Sequence, residues 1–432
     1  MAIAKGARLR TLYRKTILPN GLRIISESIP TFRSISIGLW LDTGSRDEPD
    51  EIAGISHFIE HMVFKGTGSR SAKEIASYLE SVGGMLNAFT SREQTCYYAK
   101  ILDRHLPLAV EILADLVFNG RFDKDDIEKE KNIIIDEINE VNDTPADLVH
   151  DLFARSIFGE HPLGRPIMGS SGTVRRITRD HIMAYLKASY RPEKMIVAAS
   201  GNLVHGELVR LVRKHFPKKY ENNRNPRARK RPSLMRRLSV KQRESSQTHI
   251  CIGGPAFTFE DPRRSALLLL NSMVGGGMSS KLFQKIREEM GMAYTIFSYL
   301  DFFADTAIMG VYLSTDPKNV TKAIATVFEE LSHFAAEKLG PKEIESAREQ
   351  LKGSLVLGLE NSSNRMNRMA KHEILLGRYI SVDETIAEID SVTAESVRKV
   401  AEKLFNPKRF TITALGQAKK SAILRALPDG IG

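Results

Sequence analysis

The sequence predicts an α+β fold made of two homologous domains, each a mostly antiparallel sheet packed with helices. The chain repeats itself once. Thr178–Gly201 (TRDHIMAYLKASYRPEKMIVAASG) aligns with Thr393–Gly416 (TAESVRKVAEKLFNPKRFTITALG) at a constant offset of 215. That offset pairs Thr178 with Thr393, Pro192 with Pro407 and Gly201 with Gly416. Each copy reads as an N-capped helix, a proline break and an apolar strand ending in glycine. The 432 residues, with 42% hydrophobic and 27% charged side chains, suffice for two domains with cores of their own.

The elements follow in order. Apolar runs near 16–28, 33–42, 94–102 and 195–200 read as strands of one sheet. Helical periodicity places helices near 54–64, 71–82, 105–118, 123–141 and 178–189. Ser71-x-x-Glu74 is a capping box that opens the second of these, and Gly83-Gly84 closes it. Aspartates at 123, 125 and 126 suit the positive end of the fourth. The expected boundaries are 1–216 for the first domain, 217–245 for a linker and 246–432 for the second domain.

The linker is read from its composition. Pro217–Ser245 carries 11 Lys/Arg against two Glu, nine of the chain's eleven net positive charges, and has prolines at 217, 226 and 232. Such a segment is expected to be solvated and mobile. Its charge alone would suit nucleic acid or an acidic membrane. It has no interleaved aromatics beyond Tyr220 and no recognisable nucleic-acid motif, so nucleic acid is not expected as a partner. No apolar run approaches a spanning helix, and no apolar signal segment opens the chain. Two cysteines, Cys96 and Cys251, argue against a disulfide framework and for a reducing compartment. A bacterial cytoplasmic location is expected, with the mitochondrial matrix as the alternative.

Chemistry enters with His57-Phe58-Ile59-Glu60-His61. Two histidines four apart share one helix face, a spacing at which both can reach one metal ion. Glu60 shares that face and can act on a water at the metal. The order H-x-x-E-H is the inverted form of the zinc-protease motif. Ile55, Phe58, Ile59, Met62 and Val63 recur at helical spacing, so the helix is largely buried. Polar groups on a buried helix need partners, and a metal is a good one for two histidines. A catalytic zinc takes a third protein ligand. The two cysteines are too few and too far apart to supply it. In the helix 123–141, Glu130 and Glu137 lie seven apart on the face of Ile127, Ile134 and Ile138. Either carboxylate fits.

With these residues the chain resembles the pitrilysin family of zinc peptidases, closest to its two-domain processing-peptidase-like branch. The resemblance runs over nearly the whole chain. It includes Asn20–Arg23, Gly66-Thr67-Gly68, Gly84–Tyr98 and Gly275–Phe283. It implies one Zn2+ per chain held by His57, His61 and Glu137, with Glu60 as general base and Glu130 supporting a ligand histidine. It implies an edge strand at Asn87, Ala88 and Phe89 that takes up an extended peptide, and a substrate-holding pair, Arg287 and Tyr294, from the second half. It also implies a clam-like cleft and a homodimer, or a heterodimer with a non-catalytic homologue. The second copy has no such motif, and Ser354 stands where Glu137 would recur. A zinc-dependent endopeptidase is the expectation; a non-catalytic scaffold or partner subunit is the alternative.

Overall fold

The computed structural model describes residues 12–217, 228–336 and 339–428. In chain order the first half contributes β1 (Leu12–Ile17), β2 (Arg23–Ser28), β3 (Ser34–Leu41), α1 (Ile55–Met62), α2 (Ala72–Glu80), β4 (Met85–Thr90), β5 (Thr95–Leu102), α3 (Leu106–Asn119), α4 (Lys124–Asp143), α5 (Pro145–Phe158), α6 (Ser171–Arg176), α7 (Arg179–Ser189), β6 (Met195–Gly201) and α8 (His205–His215). The second half contributes β7 (Leu238–Gln242), β8 (Thr248–Pro255), α9 (Arg264–Gly275), a π-helical turn at Phe283–Glu289, β9 (Ala293–Phe302), β10 (Ala307–Thr315), α10 (Val320–Ala336), α11 (Pro341–Gly358), α12 (Ser362–Leu376), α13 (Val382–Ser391), α14 (Ala394–Leu404), β11 (Thr411–Gly416) and α15 (Lys420–Ala426).

The strands form two sheets, ordered β1-β2-β6-β3-β5-β4 and β7-β11-β8-β10-β9. Each has a single parallel pairing, β2 with β6 and β7 with β11, and is otherwise antiparallel. Every residue of β6, β10 and β11 is buried. That is why β6 and β10 read as largely continuous apolar runs and not as alternating ones. The α+β expectation holds.

The repeat is visible in coordinates as well as letters. Thr178 and Thr393 each accept the backbone N–H three residues on, from His181 and Ser396, and open α7 and α14 with matching capping boxes. Short 3-10 turns at Pro192–Lys194 and Pro407–Arg409 follow, then β6 and β11. Gly201 and Gly416 end these strands at φ +138° and +137°, a region that favours glycine.

Three expectations need correction. The run 16–28 is a hairpin, not one strand. It turns at 18–22, where the Leu18 N–H donates to the Leu22 carbonyl, the Leu18 carbonyl accepts from the Gly21 N–H, and Gly21 sits at φ +88°. The proposed linker does not extend to 245, because Leu238–Gln242 is β7, paired with β11 in the second sheet. Charge outweighed pattern in the reading of that stretch; its residues 218–227 lie outside the described ones. Finally, the compact units cross the sequence boundary. One gathers Met1–Ile134, Ile167–Arg227 and Gly358–Ile374; the other gathers Ile135–Pro166, Ala228–Leu357 and Leu375–Gly432. So α5 joins the second sheet and most of α12 joins the first. The division at 134 falls inside α4, which runs unbroken.

α5 packs Leu148, Val149, Phe153 and Ile157 with Cys251, Ile308, Tyr312 and Leu415 of the second sheet. α12 buries Met366, Met369 and Ala370, and polar contacts also tie it to the first sheet. Arg365 pairs with Glu27 at 2.9 Å, and Lys15 and Arg23 reach Glu373 at 2.7 and 3.3 Å. Ser36 on β3 bonds both Ser362 and Ser363.

Candidate metal centre

α1 is two turns long and starts at Gly54, whose φ of +99° and lack of a side chain let Met168 O approach; a Cβ there would lie 2.4 Å from that oxygen. Ile55, Phe58, Ile59 and Met62 are buried, which fixes the opposite face and presents His57, Glu60 and His61 together. The imidazole centroids of His57 and His61 are 4.6 Å apart. α4 supplies the carboxylates. Ile127, Ile134 and Ile138 are buried along one stripe, and Glu130 and Glu137 ride with them.

Spacing left Glu130 and Glu137 equivalent, and the structure separates them. Ligand atoms of His57, His61 and Glu137 lie within 4.8 Å of one another, the sole such grouping among the described residues. Two imidazole nitrogens and a carboxylate oxygen form the donor set of a catalytic zinc with one position left open. Glu130 instead accepts from His61 Nδ1 at 2.8 Å and from Lys65 Nζ at 2.7 Å. A carboxylate can only accept, so Nδ1 of His61 carries the proton and Nε2 faces away as the metal-competent nitrogen.

The electrostatics fit that arrangement. Burial, with His61 nearby, pulls His57 down to about 4 against the opposing pull of Glu130. His57 is thus a neutral imidazole near pH 7, the form a metal needs. Burial would raise the Glu130 carboxyl, but the bonds from His61 and Lys65 outweigh it and hold it below the usual range. Lys65 went unread in the sequence. Its signal was present: it lies one turn beyond His61, on the same face.

β4 is the outer strand of the first sheet, and α1 packs against it. Asn87 is exposed on it, and its Oδ1 accepts the Ala88 N–H at 2.8 Å. Phe89 is pinned edge-on to Trp40, centroids 5.4 Å apart. The strand ends at Thr90, so Ser91 belongs to the turn. In the other unit, Arg287 from the π-helical turn lies over the Tyr294 ring at 5.2 Å and over Phe283 at 4.8 Å. Tyr294 is 74% exposed. Arg287 and Tyr294 are therefore in contact.

Comparisons with known proteins identify the family. Residues 23–171 match the family model described as insulinase, peptidase family M16, and residues 176–351 match the peptidase M16 inactive domain. An uncharacterized zinc protease of Mycobacterium tuberculosis is 41% identical over 409 residues, covering 93% of each chain. An uncharacterized zinc protease of Bacillus subtilis is 39% identical over 386 residues, 89% of this chain and 94% of that one. A probable mitochondrial-processing peptidase subunit beta of Arabidopsis thaliana is 33% identical, covering 96% of this chain and 79% of its own. Among solved structures, a protease from Helicobacter pylori superposes with a TM-score of 0.87 at 20% identity, covering 94% of this chain and 99% of that one. Sequence kinship over nearly the full length, two family models in the expected order and a shared fold all converge: the chain is a member of peptidase family M16, the insulinase family.

Proposed function

We propose that the chain is a zinc-dependent endopeptidase that hydrolyses peptides or small unfolded proteins. The observation that carries this is the convergence of His57, His61 and Glu137 ligand atoms beside Glu60. These three residues would hold one zinc per chain, and a bound zinc supplies a Lewis acid and a water of lowered pKa. Glu60, one turn after His57 and next to His61, takes the proton of the attacking water and delivers it to the leaving amine nitrogen. Glu130 holds His61 in the tautomer that leaves Nε2 for the metal. An extended peptide adds to the open edge of β4 at Asn87, Ala88 and Phe89, with main-chain hydrogen bonds giving sequence-tolerant affinity. Arg287 and Tyr294, a cation and a phenol already in contact, supply donors for substrate carbonyls.

Glu60→Gln should keep zinc and lose turnover by about 10²-fold or more. His57→Ala should lose zinc and activity together. Metal analysis beside cleavage of a quenched-fluorescent peptide checks both; normal turnover in E60Q would overturn the assignment. Chelator should abolish cleavage and zinc should restore it, whereas a non-catalytic scaffold would be indifferent. We further propose a cytoplasmic homodimer. Every residue of the proposed machinery is encoded in one chain, so a homologous non-catalytic partner is not needed to complete it. Equilibrium sedimentation decides the assembly. No described helix is long and apolar enough to cross a membrane.

A further inference from the structure

α1 begins without a capping side chain of its own. Its N-cap is Gly54, and its first helical bond runs from the Phe58 N–H to the Gly54 carbonyl at 2.9 Å. The first N–H groups of a helix have no partner within it. Here two of them point to a carboxylate six residues upstream. Glu48 Oε2 accepts the Gly54 N–H at 2.6 Å, and Oε1 accepts the Ser56 N–H at 2.8 Å. Glu48 is 3% exposed. Ser56 is gripped a second time through its hydroxyl, 2.9 Å from the Tyr185 hydroxyl, which also lies 3.3 Å from Thr43 Oγ1.

The loop that carries Glu48 is itself fixed. Ser45 and Arg46 donate backbone N–H groups to the carbonyls of Ser91 and Arg92 at 3.3 and 2.7 Å. Buried Arg46 pairs with buried Glu93 in the same turn. A Cβ on Gly44 would lie 2.3 Å from Ser91 O, so the two loops touch backbone to backbone. That turn ends β4 and starts β5. One short loop therefore reaches both the strand proposed to bind peptide and the helix proposed to bind metal.

We propose that Glu48 is a positioning residue for the metal centre: its buried carboxylate clamps the first turn of α1 and so sets where His57 and His61 present their nitrogens. The assignment rests on the zinc-peptidase reading above. Its physical basis is the shortness of α1. Helices below about 12 residues are marginal on their own, and the proposed ligand histidines begin one turn from the capped end. A negative charge at that end is also favoured by the positive end of the helix dipole. Loss of the clamp lets the first turn fray and shifts His57 most. A carboxylate with a purely structural role would lower stability and leave metal affinity alone.

The test uses the full chain and E48Q, which keeps the shape, removes the charge and turns one acceptor oxygen into a donor. In the metal-free protein, hydrogen exchange followed by mass spectrometry reads α1 directly. Exchange across Gly54–Phe58 should be faster in E48Q. Zinc affinity, measured by competition with a chromogenic chelator, should weaken about 10- to 100-fold, the effect of losing a residue that orients metal ligands. Peptide cleavage at saturating zinc should show a lower kcat at unchanged KM. E48D, which keeps the charge but not the full reach, should fall between E48Q and the parent, and it carries the comparison should E48Q fail to fold. Parent-like α1 exchange together with parent-like zinc affinity would overturn the proposal, whatever the melting temperature does. A parent that bound no zinc would count against the peptidase reading alone, and the exchange difference would then decide the role of Glu48.

Discussion

Single side chains show how burial divides chemistry from packing in this molecule. Cys96 on β5 and Cys251 on β8 are both fully buried, and burial pushes both thiols well above their ordinary range. A protonated, inaccessible thiol is not a nucleophile. Both should therefore resist a thiol reagent such as DTNB at pH 8 in the native protein and react stoichiometrically in denaturant; rapid native labelling of either would contradict this packing. The histidine pair and Glu60 were legible because a metal motif inside a buried helix keeps both its spacing and its apolar frame in the letters. The choice of Glu137 over Glu130 was not legible from spacing, since seven residues return both to one face. It took family resemblance to expect it, and coordinates to show Glu130 bound to His61 and Lys65. Glu48 left no trace in the sequence: a carboxylate clamping a helix from six residues upstream has no period to betray it.

Among the elements, helices with local signals appeared where expected. The capping box of α2 forms as read, with Ser71 Oγ accepting from Glu74 N–H and Glu74 accepting from Ser71 N–H at 2.7 Å. Elements defined by distant partners were missed. β7 hides in a basic stretch because only its pairing with β11 makes it a strand, whereas α5 was passed over despite a local signal, Pro145 at its first position and Gly159 after its last. The segment after α1 shows how such partners act. Asp115 on α3 accepts from Thr67 Oγ1 at 2.7 Å, Ser69 Oγ at 3.0 Å and Arg70 Nη1 at 2.5 Å, which ties the 66–70 turn to α3. Burial would raise its carboxyl, but these bonds and Asn119 hold it below the ordinary 3.8. Because the folded value is the lower one, the unfolded chain takes up the proton first as pH falls. The stabilisation is thus complete well above 3.8 and fades as pH drops through the folded value. Asp115→Asn should cost about 3 kcal/mol at pH 7, the scale of breaking a buried ion pair. The gap between parent and variant urea midpoints should close on acidification below pH 4; a gap that widened would reverse the assigned sign.

At the scale of the whole chain, the two copies have traded one helix each. Shifted by the repeat offset of 215, α5 falls on residues 360–373, nearly coincident with α12. The equivalent helix of each copy therefore covers the other copy's sheet. The two exchanges differ in their polar share. α5 is docked by apolar and aromatic side chains, whereas α12, with Met366, Met369 and Ala370 buried, adds Arg365–Glu27, Lys15–Glu373, Arg23–Glu373 and a serine cluster. A repeat in sequence marks where each copy begins and ends but says nothing about whose helix covers whose sheet, so the boundary at 216 could not foresee it. The consequence concerns folding. A fragment of residues 1–216 keeps the first sheet but lacks α12, which leaves buried Glu27 without Arg365 and bares the apolar face at Gly38 that meets Met366. Its own α5 is left with Leu148, Phe153 and Ile157 exposed. Loss of a buried ion-pair partner and an exposed apolar helix face are each costly against the roughly 5–15 kcal/mol that holds a native protein together. The fragment alone should aggregate or lack a cooperative thermal transition. Co-expression with residues 217–432 should restore a folded, co-purifying pair, since both exchanged helices then find their sheets. A monomeric 1–216 fragment with a sharp two-state melt would show that the exchange is dispensable for folding the first sheet.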